Sequence, residues 1–142
     1  MFDIFRRRGP VDLLDTQEMA TFFETLDHFN LEQLLSLGAG WQATGRQAHE
    51  DAWTTVRAVG ARDGLTKEID RVRNKALAWA TRGSNSVPYN RMNDNDTWLQ
   101  VKKEAGEAIV DAALAVALGG RLDEASRAIL IGPWLMTTEA LE

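Results

Sequence analysis

The most apolar helical pattern in the chain lies within residues 97–118, TWLQVKKEAGEAIVDAALAVAL. Ala105, Ala108 and Ala112 follow one another at helical spacing. Beyond Ala108 the segment is apolar on nearly every face, interrupted only by Asp111. A helix that is apolar all round is normally buried by its neighbours. The segment therefore predicts a central helix surrounded by other helices.

Amphipathic, alanine-rich segments with helical spacing lie on both sides of this pattern. They predict further helices at about 16–28, from 31 onward, 47–61, 66–82 and 124–131. No segment shows the strict two-residue alternation of a strand. We therefore expect an all-α fold, a single-domain bundle of five or six helices in residues 10–142. Residues 1–9 form a short apolar-then-basic lead before it.

Local signals mark where several of these helices begin and end. Either Asp15 or Thr16, together with Asn30 and Asp123, stand where N-cap residues belong. The helix that follows Asn30 meets Gly38, so it either ends there or continues because a neighbouring backbone comes close. Pro133 is expected to start a separate last turn, because proline disrupts a helix interior.

The composition excludes several classes of site and location. The 142 residues form about one domain, carry a net charge of −5 and include no cysteine. Disulfides, thiolate catalysis and cysteine-bound zinc are therefore excluded. The first ten residues have the wrong order for a signal peptide. The apolar run at 108–118 is too short to span a bilayer. We expect a soluble cytoplasmic protein, with at most a weak membrane contact by residues 1–8.

The sequence contains no complete catalytic or metal-binding set, so no cofactor is predicted and a non-enzymatic role is favoured over an enzymatic one. His28 and His49 both lack the carboxylate three residues earlier that di-iron bundles use. His28 is expected at a helix end and His49 on the surface of a first turn. A calcium loop that begins at Asn93 would place Trp98 where glycine is required.

The long polar loop at residues 83–96 is the main candidate for a functional segment, because structureless loops of this length are uncommon in compact domains. Its binding candidates combine aromatic faces with hydrogen-bonding side chains, and they are Tyr89, Asn90, Arg91, Asn93 and the following Trp98. Trp134, beside Leu135 and Met136, is expected to be a partly exposed docking patch. The first hypothesis is a non-enzymatic module, either monomeric or homodimeric, that binds a protein partner through residues 86–98 and the Trp134 region.

Two alternatives remain open. The first is a small-molecule-binding protein or enzyme whose pocket lies beneath the loop, lined by Tyr89, Arg91, Asp94 and Asp96. The second is anion or nucleic-acid binding by one basic helix face, which consists of Lys67, Arg71, Lys75 and Arg82. That face could equally be solvated and paired with neighbouring acids such as Glu104, Glu107 and Asp111. The net negative charge disfavours nucleic acid as a partner.

Overall fold

The computed structural model of the chain describes residues 11–82 and 95–139, except the side chains of residues 81–82 and 95–102. Within these ranges the chain forms helices and no strand, which confirms the predicted all-α fold. The helices are α1 (Gln17–Asp27), α2 (Leu31–Thr44), α3 (Arg46–Asp63), α4 (Thr66–Arg82), α5 (Asn95–Leu118) and α6 (Glu124–Glu139). A 3-10 turn, Gly119–Arg121, joins α5 to α6.

Helix α5 is the centre of the bundle, as its sequence predicts. Ala108, Ala112 and Leu114 are completely buried, and α2, α4 and α6 make the most extensive contacts with this helix. The helix begins two residues earlier than predicted, at Asn95. Although α5 is long, no helix in the described part of the chain is both long and apolar enough to cross a membrane.

The predicted N-caps of three helices are confirmed. The Thr16 hydroxyl accepts a hydrogen bond from the Met19 backbone N–H at 3.1 Å, at the start of α1. Asn30 caps α2 and exchanges reciprocal hydrogen bonds with Gln33, which completes a capping box. Asp123 accepts from the Ser126 N–H at 3.0 Å and caps α6. These bonds satisfy backbone donors that a helix start leaves without partners.

Helix α2 continues past Gly38 because α6 packs closely against it. A Cβ atom at Gly40 would lie 3.1 Å from the Cβ of Pro133 and 3.2 Å from its Cα. Only a residue without a side chain allows the two helices to approach this closely. The second of the two alternatives for Gly38 is therefore the one that the structure adopts.

The expectation that Pro133 starts a separate turn is wrong. Pro133 lies inside α6, which runs to Glu139 instead of ending near residue 131. Proline lacks the N–H of a regular helical hydrogen bond, so tertiary contacts must compensate for it. The ring of Pro133 is buried against Gly40, and the next residue, Trp134, is buried among phenylalanines. This packing outweighs the local preference.

Candidate functional site

A groove of about 1000 Å³ lies between α3 and α4. Trp53 and Val56 line it from α3 and Ile69 from α4, while Trp41 adds a second indole from α2 and Glu107 a carboxyl from α5. The volume is at the upper end of the range that small-molecule pockets occupy. The groove therefore combines apolar and aromatic surface with several charged groups.

The groove exists because α3 and α4 meet closely at one point only. Gly64 adopts the left-handed conformation that ends α3, with φ of 68°. One turn earlier, a Cβ atom at Gly60 would lie 2.9 Å from Cδ1 of Ile69 and 3.3 Å from Oγ1 of Thr66. The two helices make few other contacts with each other. Space is therefore left between the two helices on the side of Gly60 that leads toward the start of α3.

A buried polar cluster of three side chains lies against the groove. Asp111 of α5 is completely buried, and its Oδ1 accepts a hydrogen bond from Nε1 of Trp53 at 2.8 Å. Its Oδ2 lies 2.7 Å from Nδ1 of His49, which is 7% exposed. Removing a charge from water is costly unless it is paired, so Asp111 depends on both partners. The cluster fixes α3 to the central helix.

The surroundings of His49 raise its pKa. Burial alone lowers its pKa, but contact with Asp111 and the charge of Asp111 outweigh burial. The Trp41 carbonyl and the charge of Glu107 act in the same direction, and the pKa is raised overall. Both ring nitrogens are enclosed, each exposing less than 1 Å², and neither forms an aligned hydrogen bond with a described group. The imidazole therefore lies in surroundings that favour its protonated form beside Asp111.

Glu107 lines the groove one helical turn before Asp111. Its side chain is half-buried, and burial together with the negative charge of Asp111 raises its pKa. The charges of Arg73, Lys103 and His49 oppose this rise without cancelling it. Glu107 is therefore a carboxyl group facing the groove in surroundings that disfavour its ionised form.

The mouth of the groove carries charges of both signs. Arg46 and Glu50, one turn apart on α3, form an exposed ion pair with an Nε–Oε1 distance of 3.1 Å. Arg57, Asp70 and Arg73 are also exposed and line the groove. Exposed pairs of this kind contribute little to stability. These five residues form a mixed, solvated rim.

The structure corrects the expectation for His49. The sequence places this residue on the surface of a first turn, whereas it is buried and paired with Asp111. The position of Asp111 could have indicated this pairing, because an acid within an otherwise apolar helix needs a buried partner. His49 and Trp53, one turn apart on α3, offered donors that could meet it. Spacing along the chain does not reveal this pairing.

The binding candidates of the polar loop stay predictions. Residues 83–94, which include Tyr89, Asn90, Arg91 and Asn93, lie outside the described residues. Trp98 is in α5, but its side chain is outside the description. The pocket that the sequence predicts beneath the loop, with Asp94 and Asp96 in its lining, is likewise untested, because these side chains lie outside the description. The groove described above is lined by other residues.

The expected partial exposure of Trp134 is wrong. Its side chain is 7% exposed, and its ring stacks on Phe29 with a centroid distance of 5.0 Å. Phe22 packs on the same ring at 4.2 Å. Leu135 and Met136, the next two residues, are 41% and 68% exposed. Partner binding through this region stays a prediction, but the indole ring is not available for it.

Part of the predicted basic face is engaged within the protein. Arg71 forms ion pairs with Glu68 at 3.1 Å and Asp12 at 3.3 Å. The ammonium of Lys75 lies 4.5 Å from the ring centroid of Phe23. Lys67 is exposed, and the side chain of Arg82 is outside the description. Anion binding by this face stays a prediction.

The other histidine lies where the sequence places it. His28 follows the last residue of α1, and its Nδ1 is 2.9 Å from the Glu24 carbonyl oxygen. A polar ring here satisfies a carbonyl group that the helix end leaves open. In the described part of the chain, no three histidine or acidic side chains come together as a metal site would require.

Comparisons of this chain with protein-family models, curated proteins and solved structures give no match. Function is therefore inferred from the groove itself.

Proposed function

We propose that the protein binds a small organic ligand in the groove between α3 and α4. The observation that carries this proposal is the groove of about 1000 Å³ with two indole rings, Trp41 and Trp53, in its lining. Ligand sites are typically concave, mostly apolar and equipped with a few polar groups that orient the ligand. The groove is concave, its apolar surface comes from the two indole rings with Val56 and Ile69, and its charged groups lie around that surface.

Perturbed titratable groups also favour this location. Glu107 and His49 have raised pKa values, and both line the groove. Burial and charge pairing shift pKa values at functional sites more often than elsewhere. The two residues come from different helices, α5 and α3, and converge on one cavity. Convergence of this kind supports a binding site at this place in the bundle.

The enclosure of His49 favours binding over acid–base catalysis at this residue. A general base must reach the proton that it removes. Both nitrogens of His49 expose less than 1 Å², so a ligand in the groove would not reach them without rearrangement. We therefore infer that His49 and Asp111 shape the base of the groove and set its charge.

A ligand screen with two matched tryptophan variants tests the proposal. Arg57 is exposed and lines the groove, whereas Ala58 is exposed on the same helix outside it. Arg57→Trp should place a ring over the groove and weaken any ligand found by thermal shift with the wild-type protein. Ala58→Trp should leave that ligand bound. A ligand at 100 times its Kd stabilises the folded state by about 2.7 kcal/mol.

Two results would overturn the proposal. One is a broad library of amines, acids, sugars and nucleosides in which no compound raises the Tm. The other is a ligand that binds Arg57→Trp as tightly as the wild-type protein.

Protein binding through residues 86–98 and the Trp134 region is a second proposal. The exposure of Leu135 and Met136 supports it, because exposed apolar side chains are common at interfaces. A triple alanine variant of Tyr89, Arg91 and Trp98 is expected to lose co-purifying partners. Unchanged partners with an intact fold would contradict it.

A further inference from the structure

The deeper part of the groove holds the Glu107 carboxyl and two indole rings beside His49, while its arginines stand exposed at the mouth. We propose, on the basis that the groove is the ligand site, that its ligand is an organic cation. The ligand would consist of an amine or amidine on an apolar body, with the Glu107 carboxylate as its counter-ion.

Glu107 is the group that a cation would meet. Its half-buried side chain lines the groove, and among the described side chains no basic group lies within ion-pair distance of it. Arg73 and Lys103 act on it only through their more distant charges. A partly desolvated carboxylate without a close partner gains most from a cation that arrives with the ligand.

The charge behind Glu107 is also negative. Asp111 lies one turn further along α5, fully buried, and is held by His49 and Trp53. The charge of Asp111 already acts on Glu107. A cation placed beside Glu107 would lie in the same negative field. Asp111 thus reinforces the attraction that Glu107 provides.

The two indole rings suit the same ligand. Trp41 and Trp53 are half-buried in the groove lining, and the N–H of Trp53 is held by Asp111. The face of an indole ring attracts cations and also packs against apolar groups. Because its hydrogen bond restrains the ring of Trp53, this ring can receive a ligand with little loss of side-chain entropy.

The arginines at the rim do not reverse this preference. Arg46 is paired with Glu50, and Arg57 and Arg73 are exposed to water and counter-ions. Solvent and salt screen exposed charges far more than buried ones. An anionic ligand could contact Arg57 or Arg73 at the mouth, but its deeper part would approach Glu107. A cation placed at depth therefore has the better electrostatic fit.

The pH dependence of binding follows from the groups that face Glu107. Asp111 and Lys103 of α5, Arg73 of α4 and His49 of α3 act on it, and burial with Asp111 raises its pKa. Cation binding requires the ionised carboxylate, so affinity should rise as the pH increases through that raised pKa. The same dependence should be absent in Glu107→Gln.

The test uses one ring system with three different charges. Phenethylammonium, 2-phenylethanol and 3-phenylpropanoate are titrated against the wild-type protein at pH 7.5, with indole N–H signals followed by NMR. We expect the cation to bind at least about tenfold more tightly than the alcohol, equivalent to about 1.4 kcal/mol. Glu107→Gln should abolish this preference, whereas Asp51→Asn, an exposed carboxylate of α3 outside the groove, should change it by less than about twofold.

The outcomes separate this inference from the proposed function. If the alcohol or the anion binds best and Arg57→Trp blocks it, the groove is the ligand site but the cation inference is wrong. If no probe of any charge perturbs the Trp41 or Trp53 signals, both proposals fail. An equal loss of cation affinity in Asp51→Asn would also overturn the role of Glu107.

Stability provides an independent readout. Burial and Asp111 disfavour the ionised form of Glu107 in the folded protein, so Glu107→Gln should raise the Tm by about 1–3 °C at pH 7.5. A purely structural role would instead lower the Tm on substitution. Higher stability together with lost cation binding is the combination expected of a residue retained for its ligand.

Discussion

Trp134 and Trp53 each place a large ring within the same bundle, but their surroundings differ. Trp134 packs on Phe22 and Phe29 in a closed aromatic cluster. Trp53 donates its N–H to the buried Asp111 and keeps part of its ring in the groove. In the aromatic cluster the rings pack closely against one another. In the groove, open volume and charged groups take the place of close packing. Trp134 therefore contributes mainly to the stability of the fold, whereas Trp53 both joins α3 to α5 and lines the groove.

The largest expected effect comes from emptying the aromatic cluster. Trp134→Ala should lower the free energy of unfolding by about 3–5 kcal/mol, because it removes a buried ring and leaves a cavity between two phenylalanines. Urea denaturation measures the loss. Trp134→Phe, which keeps an aromatic ring, should lose clearly less. A loss below about 1 kcal/mol for Trp134→Ala would show that the cluster is not a stabilising centre.

Removing one charge from the groove side should have a smaller effect. Asp111→Asn keeps an oxygen acceptor for Trp53 but takes the counter-charge from His49, and we expect a loss of about 2 kcal/mol. The loss is limited because the imidazole can release its proton when the charge of Asp111 is absent. Denaturant unfolding at pH 6 measures it.

The control for Asp111→Asn is Asp70→Asn. Asp70 is an exposed carboxylate on the groove rim, and surface substitutions usually change stability by less than about 0.5 kcal/mol. Equal effects at the two positions would contradict the assigned importance of the buried cluster.

The two regions also differ in how far the sequence predicts them. The central helix and the caps at Thr16, Asn30 and Asp123 depend on residues within one or two turns, so sequence patterns identify them. The bond between Trp53 and Asp111 joins positions 58 residues apart, and no local pattern encodes it. The groove likewise depends on how α3 and α4 are placed relative to each other, because it is the space between them on one side of their close contact at Gly60.

Local rules failed where tertiary packing opposed them. Pro133 should end a helix, yet its ring fits against Gly40 and α6 continues. His49 has the sequence surroundings of a surface residue, yet it is buried beside Asp111. Trp134 follows a Gly-Pro pair that suggested an exposed turn, but the ring completes the aromatic cluster. In each case a contact with another helix decides the outcome.

Two glycine substitutions test how closely α2 and α6 approach each other at Gly40. Gly40→Ala should cost about 1–3 kcal/mol, because the new Cβ would lie 3.2 Å from the backbone Cα of Pro133 and the helices would have to separate. Gly106→Ala, within α5, would place its Cβ 3.4 Å from the Cβ of Ala80, an ordinary contact, and should stabilise by about 0.5–1 kcal/mol through helix propensity. Thermal unfolding of both variants measures the effects. Effects of the same sign would contradict the close approach at Gly40.

The smallest expected effect is the pH dependence that the buried cluster gives to stability. Because the pKa of His49 is raised in the folded protein, its contribution is fully present below its unfolded pKa, about 6.5. It is lost as the pH rises through the folded pKa. Glu107 acts in the same sense from lower pH, since its pKa is raised above an ordinary value of about 4.3.

Unfolding free energies between pH 4 and 9 should therefore decline in two separable steps. His49→Gln should remove the step near neutral pH, and Glu107→Gln should remove the acidic one. The aromatic cluster contains no titratable group, so Trp134→Phe should lower the whole curve without changing its shape. A wild-type curve that rises through neutral pH would mean that burial, rather than the charge of Asp111, dominates the titration of His49.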